Sequence, residues 1–262
     1  MPQPIVVVDA FTETPFAGNS AAVCSLSAPR EERWMQAVAR EMNHANTAFL
    51  HREDDHWRVR WFTPVTEVDL CGHATLASAH VLWQNGEAGR HERIAFETRS
   101  GRLTASAEDG WILLELPAMA PTPVAVPPGL EAALGARARA AFHTPFDWLI
   151  QLESEAAVRS LHPDLGAVRR LGRRGVIVTS TASGPYDFVS RFFAPAVGLP
   201  EDPVTGSAHC ALGPFWGAKL GKQEMLAWQA SPRGGSLRVM LRGERLLLGG
   251  HAVTTLRGEL LA

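Results

Sequence analysis

Arg60-Trp61-Phe62-Thr63-Pro64-Val65-Thr66-Glu67-Val68-Asp69-Leu70-Cys71-Gly72-His73-Ala74-Thr75 decides how this chain is read, because most of it is used twice. About 130 residues later the chain runs Arg191-Phe192-Phe193-Ala194-Pro195 and then Asp202-Pro203-Val204-Thr205-Gly206-Ser207-Ala208-His209. Each copy has arginine, an aromatic, phenylalanine, any residue and proline. A linker follows, then glycine beside a polar residue, then an apolar run ending in tryptophan, Trp83 or Trp216. Self-similarity at a fixed spacing is the mark of a duplicated unit. It points to two halves with a site between them.

Outward from the repeat, each copy leads into a helix. In the run from Gly72 to Trp83, Ala74, Leu76, Ala77, Ala79, Val81 and Leu82 surround the helix instead of forming a stripe, the pattern of a helix buried on every side. The second such helix, 207–220, is expected to kink or break at Gly213-Pro214, since proline removes a helical hydrogen bond. Upstream, Pro4 to Asp9 suits a buried strand, Ala21 to Ser25 a second, and Trp57 to Phe62 alternates as a strand. Arg33 to Met42 has helical spacing, and three strands follow between Arg93 and Leu116.

Pro117 to Pro128, with five prolines, reads as a stiff connector. The expected halves are therefore 1–117 around helix 72–83 and 118–262 around helix 207–220, with the last strand free to return to the first half. A mixed sheet curled around each apolar helix is the arrangement that buries it.

Composition narrows the function. At 262 residues the chain is long enough to bury about 70–75% of its unfolded surface. A net charge of −2, with 46% apolar and 20% charged residues, gives no electrostatic reason to expect nucleic acid or an anionic membrane as partner. The amino end lacks the features of a signal peptide, and no run of about 18 apolar residues spans a bilayer. Three cysteines, Cys24, Cys71 and Cys210, have no short spacing, so a reducing, cytoplasmic setting is expected.

The first turn of a helix leaves backbone N–H groups without intrahelical partners at the positive end of the dipole, and glycine there lets an anion approach. Two such ends facing one cleft would bring Cys71, Gly72 and His73 near Asp202, Thr205, Gly206 and Ser207. Asp202 suits either a helix cap or acid/base work. His80 and His209, inside apolar helices, read as satisfied core histidines. Cys71, His73, His209 and Cys210 fit no paired metal-ligand spacing, so no metal is expected. No nucleophile elbow, dinucleotide fingerprint or Walker loop is present. The pairs Arg169-Arg170 and Arg173-Arg174 read as solvated surface.

Val8-Asp9-Ala10-Phe11, Pro15-Phe16-Ala17-Gly18-Asn19, Asn43 to Phe49, Phe62-Thr63-Pro64 and the two helix-start segments, Glu67 to Thr75 and Glu201 to His209, together resemble the PhzF-like phenazine-biosynthesis isomerases, in order from Val6 to Trp216. The resemblance implies a diaminopimelate-epimerase-like α/β (α+β) fold of two similar halves, each a barrel-like mixed sheet wrapped around a central apolar helix. It also implies proton transfer within a small carboxylated metabolite, no cofactor, and a homodimer. Carried over residue by residue, it gives His73, Asp202 and Ser207 as active-site groups, Gly206 as a backbone donor, and Gly18 and Asn19 as cleft lining. Family members end the segment before Thr47-Ala48-Phe49 with a proton-moving glutamate. Here that position is Asn46, and an amide cannot accept and return a proton near neutral pH. Cys71 and His44 are the nearby substitutes. The resulting alternatives are an isomerase or epimerase with altered chemistry, and an idle relative that binds a small acid or a partner.

Overall fold

The β-branched run after Pro4 becomes the strand Gln3–Ala10 in a computed structural model of the protein, which describes residues 2–89 and 92–261. Ile5 to Ala10 are buried without a break, the apolar ones as a strand covered on both faces requires, and Asp9 with its carboxylate accepting from the Phe16 N–H. This strand pairs antiparallel with Asn19–Leu26 on one side and with Ala252–Leu260 on the other. The sheet continues through Asn46–Glu53 (parallel), His56–Phe62 (antiparallel), Ile94–Thr98 (parallel) and Gly101–Glu108 (antiparallel). With helices α1 (Glu32–Met42) and α2 (Gly72–Gln84) it makes one unit, Met1–Glu115 with Gly249–Ala262. The other unit is Leu116–Leu248. The proline-rich connector falls inside the second unit and contributes its strand Thr122–Val124.

The second unit repeats the pairing scheme of the first. Ala140–His143 pairs antiparallel with Trp148–Gln151, and Val176–Thr181 adds in parallel. Phe188–Ala194 follows antiparallel, Glu224–Gln229 parallel and Gly235–Arg242 antiparallel. Even the outer strands correspond, since Thr122–Val124 lies antiparallel on Ala140–His143 as Ala252–Leu260 does on Gln3–Ala10. Where the first unit has the single amphipathic helix α1, the second has short helices α4 (Glu155–Arg159) and α5 (Leu165–Arg169), preceded by α3 (Leu130–Leu134). Val158, Val168 and Leu130 from these three pack with Phe193 in one apolar cluster.

The long helix of this unit, α6 (Gly206–Leu220), does not break at Gly213-Pro214, since it is one helix with Pro214 inside it. Proline deprives the carbonyl four residues back of its donor, here Cys210. The backbone N–H of Met119 donates to that carbonyl at 2.8 Å, so the loss is made good from outside the helix. Of the 15 residues of α6, ten are buried, and its long apolar side chains leave no solvent face. Among the described residues no helix is long and apolar enough to cross a membrane.

The repeated arginine has the same partner in both units. Arg60 places Nε 2.7 Å and Nη2 2.6 Å from the two carboxylate oxygens of Glu67, with its guanidinium 5.2 Å from the Phe62 ring centre. Arg191 does the same with Glu201, at 2.7 and 2.9 Å, over Phe193 at 4.9 Å. Each fork clamps the strand before the loop to the short strand that feeds the long helix. The surroundings differ. Arg99 also reaches Glu67 at 2.7 Å, whereas among the described residues Arg191 alone serves Glu201, and it donates from Nη1 to the carbonyls of Val158, Arg159 and Leu161. Removing one partner of a buried ion pair costs about 3–5 kcal/mol. Denaturant unfolding of Arg191→Met should show a loss of that size, and Arg60→Met a distinctly smaller one because Arg99 still covers Glu67. Equal losses would contradict this account.

Candidate active site

In the first unit, α2 begins at Gly72 with Cys71 in the N-cap position, and the Cys71 side chain makes no capping bond. The helix entry is held from the other direction, by Thr75, whose N–H and hydroxyl both donate to the Cys71 carbonyl at 3.1 and 2.6 Å. The N–H groups of the first turn therefore keep their anion-binding character. His73 is buried here, its Nδ1 3.6 Å from the Cys71 sulfur. Burial pushes the imidazole down to a pKa of about 3, so it is neutral at physiological pH.

Asn19 and Asn46 open two neighbouring parallel strands and so lie at the same end of that sheet, both buried. Gly18 before Asn19 has φ +63°, and a Cβ there would fall 2.2 Å from the Ala10 carbonyl oxygen, so no other residue fits. Among the described residues the Asn46 side-chain nitrogen is a buried donor with no hydrogen-bond partner. His44 stands on its loop with Nδ1 3.1 Å from the Ser20 hydroxyl.

In the second unit Asp202 closes the strand Leu199–Asp202 and is buried. It does not cap α6. That helix starts at Gly206, one residue before the expected 207, and Thr205 occupies the cap position without a side-chain cap bond. Asp202 instead accepts the Thr205 hydroxyl at 2.7 Å. Gln229 locks this pair from a neighbouring strand: its Oε1 accepts from the Thr205 N–H at 2.8 Å, and its Nε2 donates to the Asp202 carbonyl at 2.7 Å and to Thr205 Oγ1 at 3.1 Å. Nothing in the sequence around Gln229 marks this role, because it arises only from strand neighbours.

Ser207, in the first turn, accepts a hydrogen bond from Arg174 Nη2 at 3.1 Å. Arg174 in turn forks onto the buried Asp147 at 2.9 and 2.5 Å. Arg173 donates to the Thr144 carbonyl and lies 4.5 Å over Trp148. The arginines read as solvated surface are, for these two, part of the structure beside the helix start.

Of the two core histidines, one is satisfied as expected and the other only in part. His80 is paired with the Thr254 hydroxyl at 3.0 Å. His209 is wholly buried with Nδ1 on the Thr205 carbonyl at 2.8 Å, while its Nε2 has no hydrogen-bond partner among the described residues. Burial lowers its pKa to about 4. Burial also pushes the Cys24 and Cys210 thiols up to about 12, leaving them inert. Among the described residues no three His, Cys, Asp or Glu side chains converge as a metal-sized group.

The depressed histidines make stability depend on pH. In the unfolded chain His73 and His209 take up protons near 6.5, but in the folded chain only near about 3 and about 4. Between these values the unfolded state binds more protons, so their contribution is complete above about pH 6.5 and is lost as pH falls toward the folded values. Denaturant unfolding followed from about pH 8 to 4 should show this decline, and His73→Asn and His209→Asn should each flatten it. An unchanged slope in both variants would contradict the burial of these rings.

The helix-start segments and the duplicated sheet have known counterparts. The profile of the phenazine biosynthesis-like protein family, PhzC-PhzF, matches residues 8–258. A relative from Halalkalibacterium halodurans, described as an uncharacterized isomerase, is 52% identical over 263 residues, covering 100% of this chain and 99% of its own. The crystal structure of a phenazine biosynthesis protein of the PhzF family from Enterococcus faecalis superposes with a TM-score of 0.97 at 39% identity, covering 100% of both chains. A hydroxyproline epimerase from Agrobacterium vitis shares the fold alone, with a TM-score of 0.65 at 10% identity over 99% of this chain and 92% of that one. The fold is thus the diaminopimelate-epimerase-like one, and the chain belongs to the PhzC-PhzF phenazine biosynthesis-like family, among whose members are proteins described as isomerases.

Proposed function

We propose that the protein is a cofactor-independent isomerase or epimerase that moves a proton within a small carboxylated substrate, using residues at the starts of both long helices. The observation that carries this reading is the chemistry gathered there: a neutral imidazole, His73, at one start and a buried carboxylate, Asp202, at the other. Asp202 accepts the proton as the substrate C–H bond breaks and returns it at a second carbon or to the opposite face. Charge left on the substrate's carboxylate or carbonyl oxygen is met by the first-turn N–H groups, including that of Gly206, and by the N–H of His73, since a neutral imidazole donates without being a strong acid. Gly18, Asn19, Cys71, Gly72 and Thr205 line the substrate, and Ser207 donates to one of its oxygens. The protein works as a cytoplasmic homodimer in this reading.

Asn46 has a different task from the glutamate it replaces. Its unpaired buried N–H group is costly, by about 1–3 kcal/mol for such a group, unless a ligand oxygen accepts from it. We assign it as a donor to the substrate. The same observation favours a second reading, in which the protein holds a small acid or serves a partner without turning the acid over.

Incubating candidate carboxylic acids with the protein in deuterated water separates the two. Wild type should place deuterium on a substrate carbon, with His73→Ala and Asp202→Ala slower by about 10²–10⁴-fold, the usual worth of an acid/base group. No exchange by the wild type, or equal exchange by all three proteins, would sink the enzyme reading. A companion variant, Asn46→Glu, should gain isomerisation of dihydrohydroxyanthranilate, read by the change in its ultraviolet absorption. Failure of a folded variant to do so would mean that more than the base has diverged.

A further inference from the structure

Ser207 stands out among the helix hydroxyls. In α2, Thr75 and Ser78 each turn their proton back to the carbonyl four residues earlier, both at 2.6 Å, which is the ordinary outlet for a buried helical hydroxyl. Ser207 does not. The carbonyl four residues before it, Pro203, receives the Ser231 hydroxyl at 2.8 Å instead. Among the described residues the Ser207 hydroxyl has one hydrogen bond, and in it the oxygen accepts from Arg174 Nη2. A guanidinium has no acceptor, so the serine proton cannot point at Arg174.

Arg174 is held so that this geometry persists. Its Nε and Nη2 fork onto Asp147, whose side chain is 2% exposed, and the guanidinium lies 5.2 Å over Phe192. Asp147 is fixed by its turn, where the Thr144 hydroxyl accepts from the N–H groups of Phe146 and Asp147 at 3.1 and 2.9 Å. The fork neutralises the arginine, so what reaches Ser207 is an oriented N–H group more than a free cation. In the repeat, Arg174 lies next to the counterpart of Asn46. Thr47 faces Phe62 and Val176 faces Phe193, so Gly175 is the counterpart of Asn46, and Arg174 immediately precedes it.

We propose that Arg174, anchored by Asp147, is a positioning residue for the reaction: it occupies the acceptor side of the Ser207 hydroxyl and fixes its O–H as a donor to a substrate oxygen. This rests on the reading of Ser207 as a substrate contact given above. Arg174 then acts only through Ser207 and needs no contact with the substrate itself.

Two measurements test it. Removing Arg174 alone strands the buried Asp147 carboxylate, so the paired replacement Arg174→Met with Asp147→Leu is used, with Arg174→Lys as the conservative variant. In the first, Ser207→Cys puts a reporter thiol at the site, and its alkylation by iodoacetamide is followed against pH, with the unsubstituted protein as background for the three native thiols. With Arg174 present the introduced thiol should ionise clearly below the ordinary value of about 8.5 and should return toward it in the paired variant. An unchanged titration overturns the proposal whether or not any substrate is found.

In the second, with a substrate identified by deuterium exchange, Ser207→Ala and the paired variant should each lower kcat/KM by about tenfold or more. Their combination should be no worse than either alone, and Arg174→Lys should retain part of the rate. Independent, multiplying losses would overturn the proposal by showing a role outside Ser207. If no acid exchanges hydrogen, the functional reading fails by itself while the thiol titration still decides whether Arg174 addresses this position.

Discussion

A helix with no polar face cannot rest on a sheet with one side to water; it has to be enclosed. The helices α2 and α6 impose that constraint once in each unit, and each unit meets it with a mixed sheet of the same pairing order. Enclosure leaves a long helix few places where polar chemistry can be exposed. Its first turn is one, because the N–H groups there have no partners within the helix. The residues proposed to carry function sit at those two turns, and the Arg60–Glu67 and Arg191–Glu201 forks hold the strands that deliver the chain to them.

From this shared frame the two helix starts have diverged chemically. The first carries Cys71 and a buried imidazole whose charge is suppressed, and Thr75 secures the entry from within the helix. The second carries hydroxyls in the matching places, Thr205 and Ser207, and both are tied to charged or amide groups on neighbouring segments: Asp202 and Gln229 for one, Arg174 for the other. One turn is thus suited to neutral hydrogen bonding and the other to a carboxylate backed by a fixed dipole network. A reaction that draws a proton and stabilises the charge left behind needs both kinds of group.

Pro214 and Met119 show how a local rule yields to its surroundings. Proline inside a helix is costly because it orphans a carbonyl and crowds the turn before it. In α6 the orphaned Cys210 carbonyl finds the Met119 N–H, and the helix continues to Leu220. The expectation of a break was sound for an isolated helix and fails for an enclosed one.

The repeat, the two all-round apolar helices, the mixed sheets and the family were all legible in the sequence, because hydrophobic periodicity and a duplicated motif are properties of the chain alone. So were His73, Asp202, Gly206 and Ser207 as residues of the helix starts. The tertiary structure alone decided what those residues do to one another. It made His73 neutral through burial, set Asp202 as the acceptor of the Thr205 hydroxyl and not as the cap of α6, and recruited Gln229, Asp147 and Arg174 from segments that no sequence spacing links to α6. Local pattern determines which elements form, whereas a pKa or a hydrogen-bond partner depends on strands and turns distant in the chain, whose positions exist only once the sheet has closed around its helix.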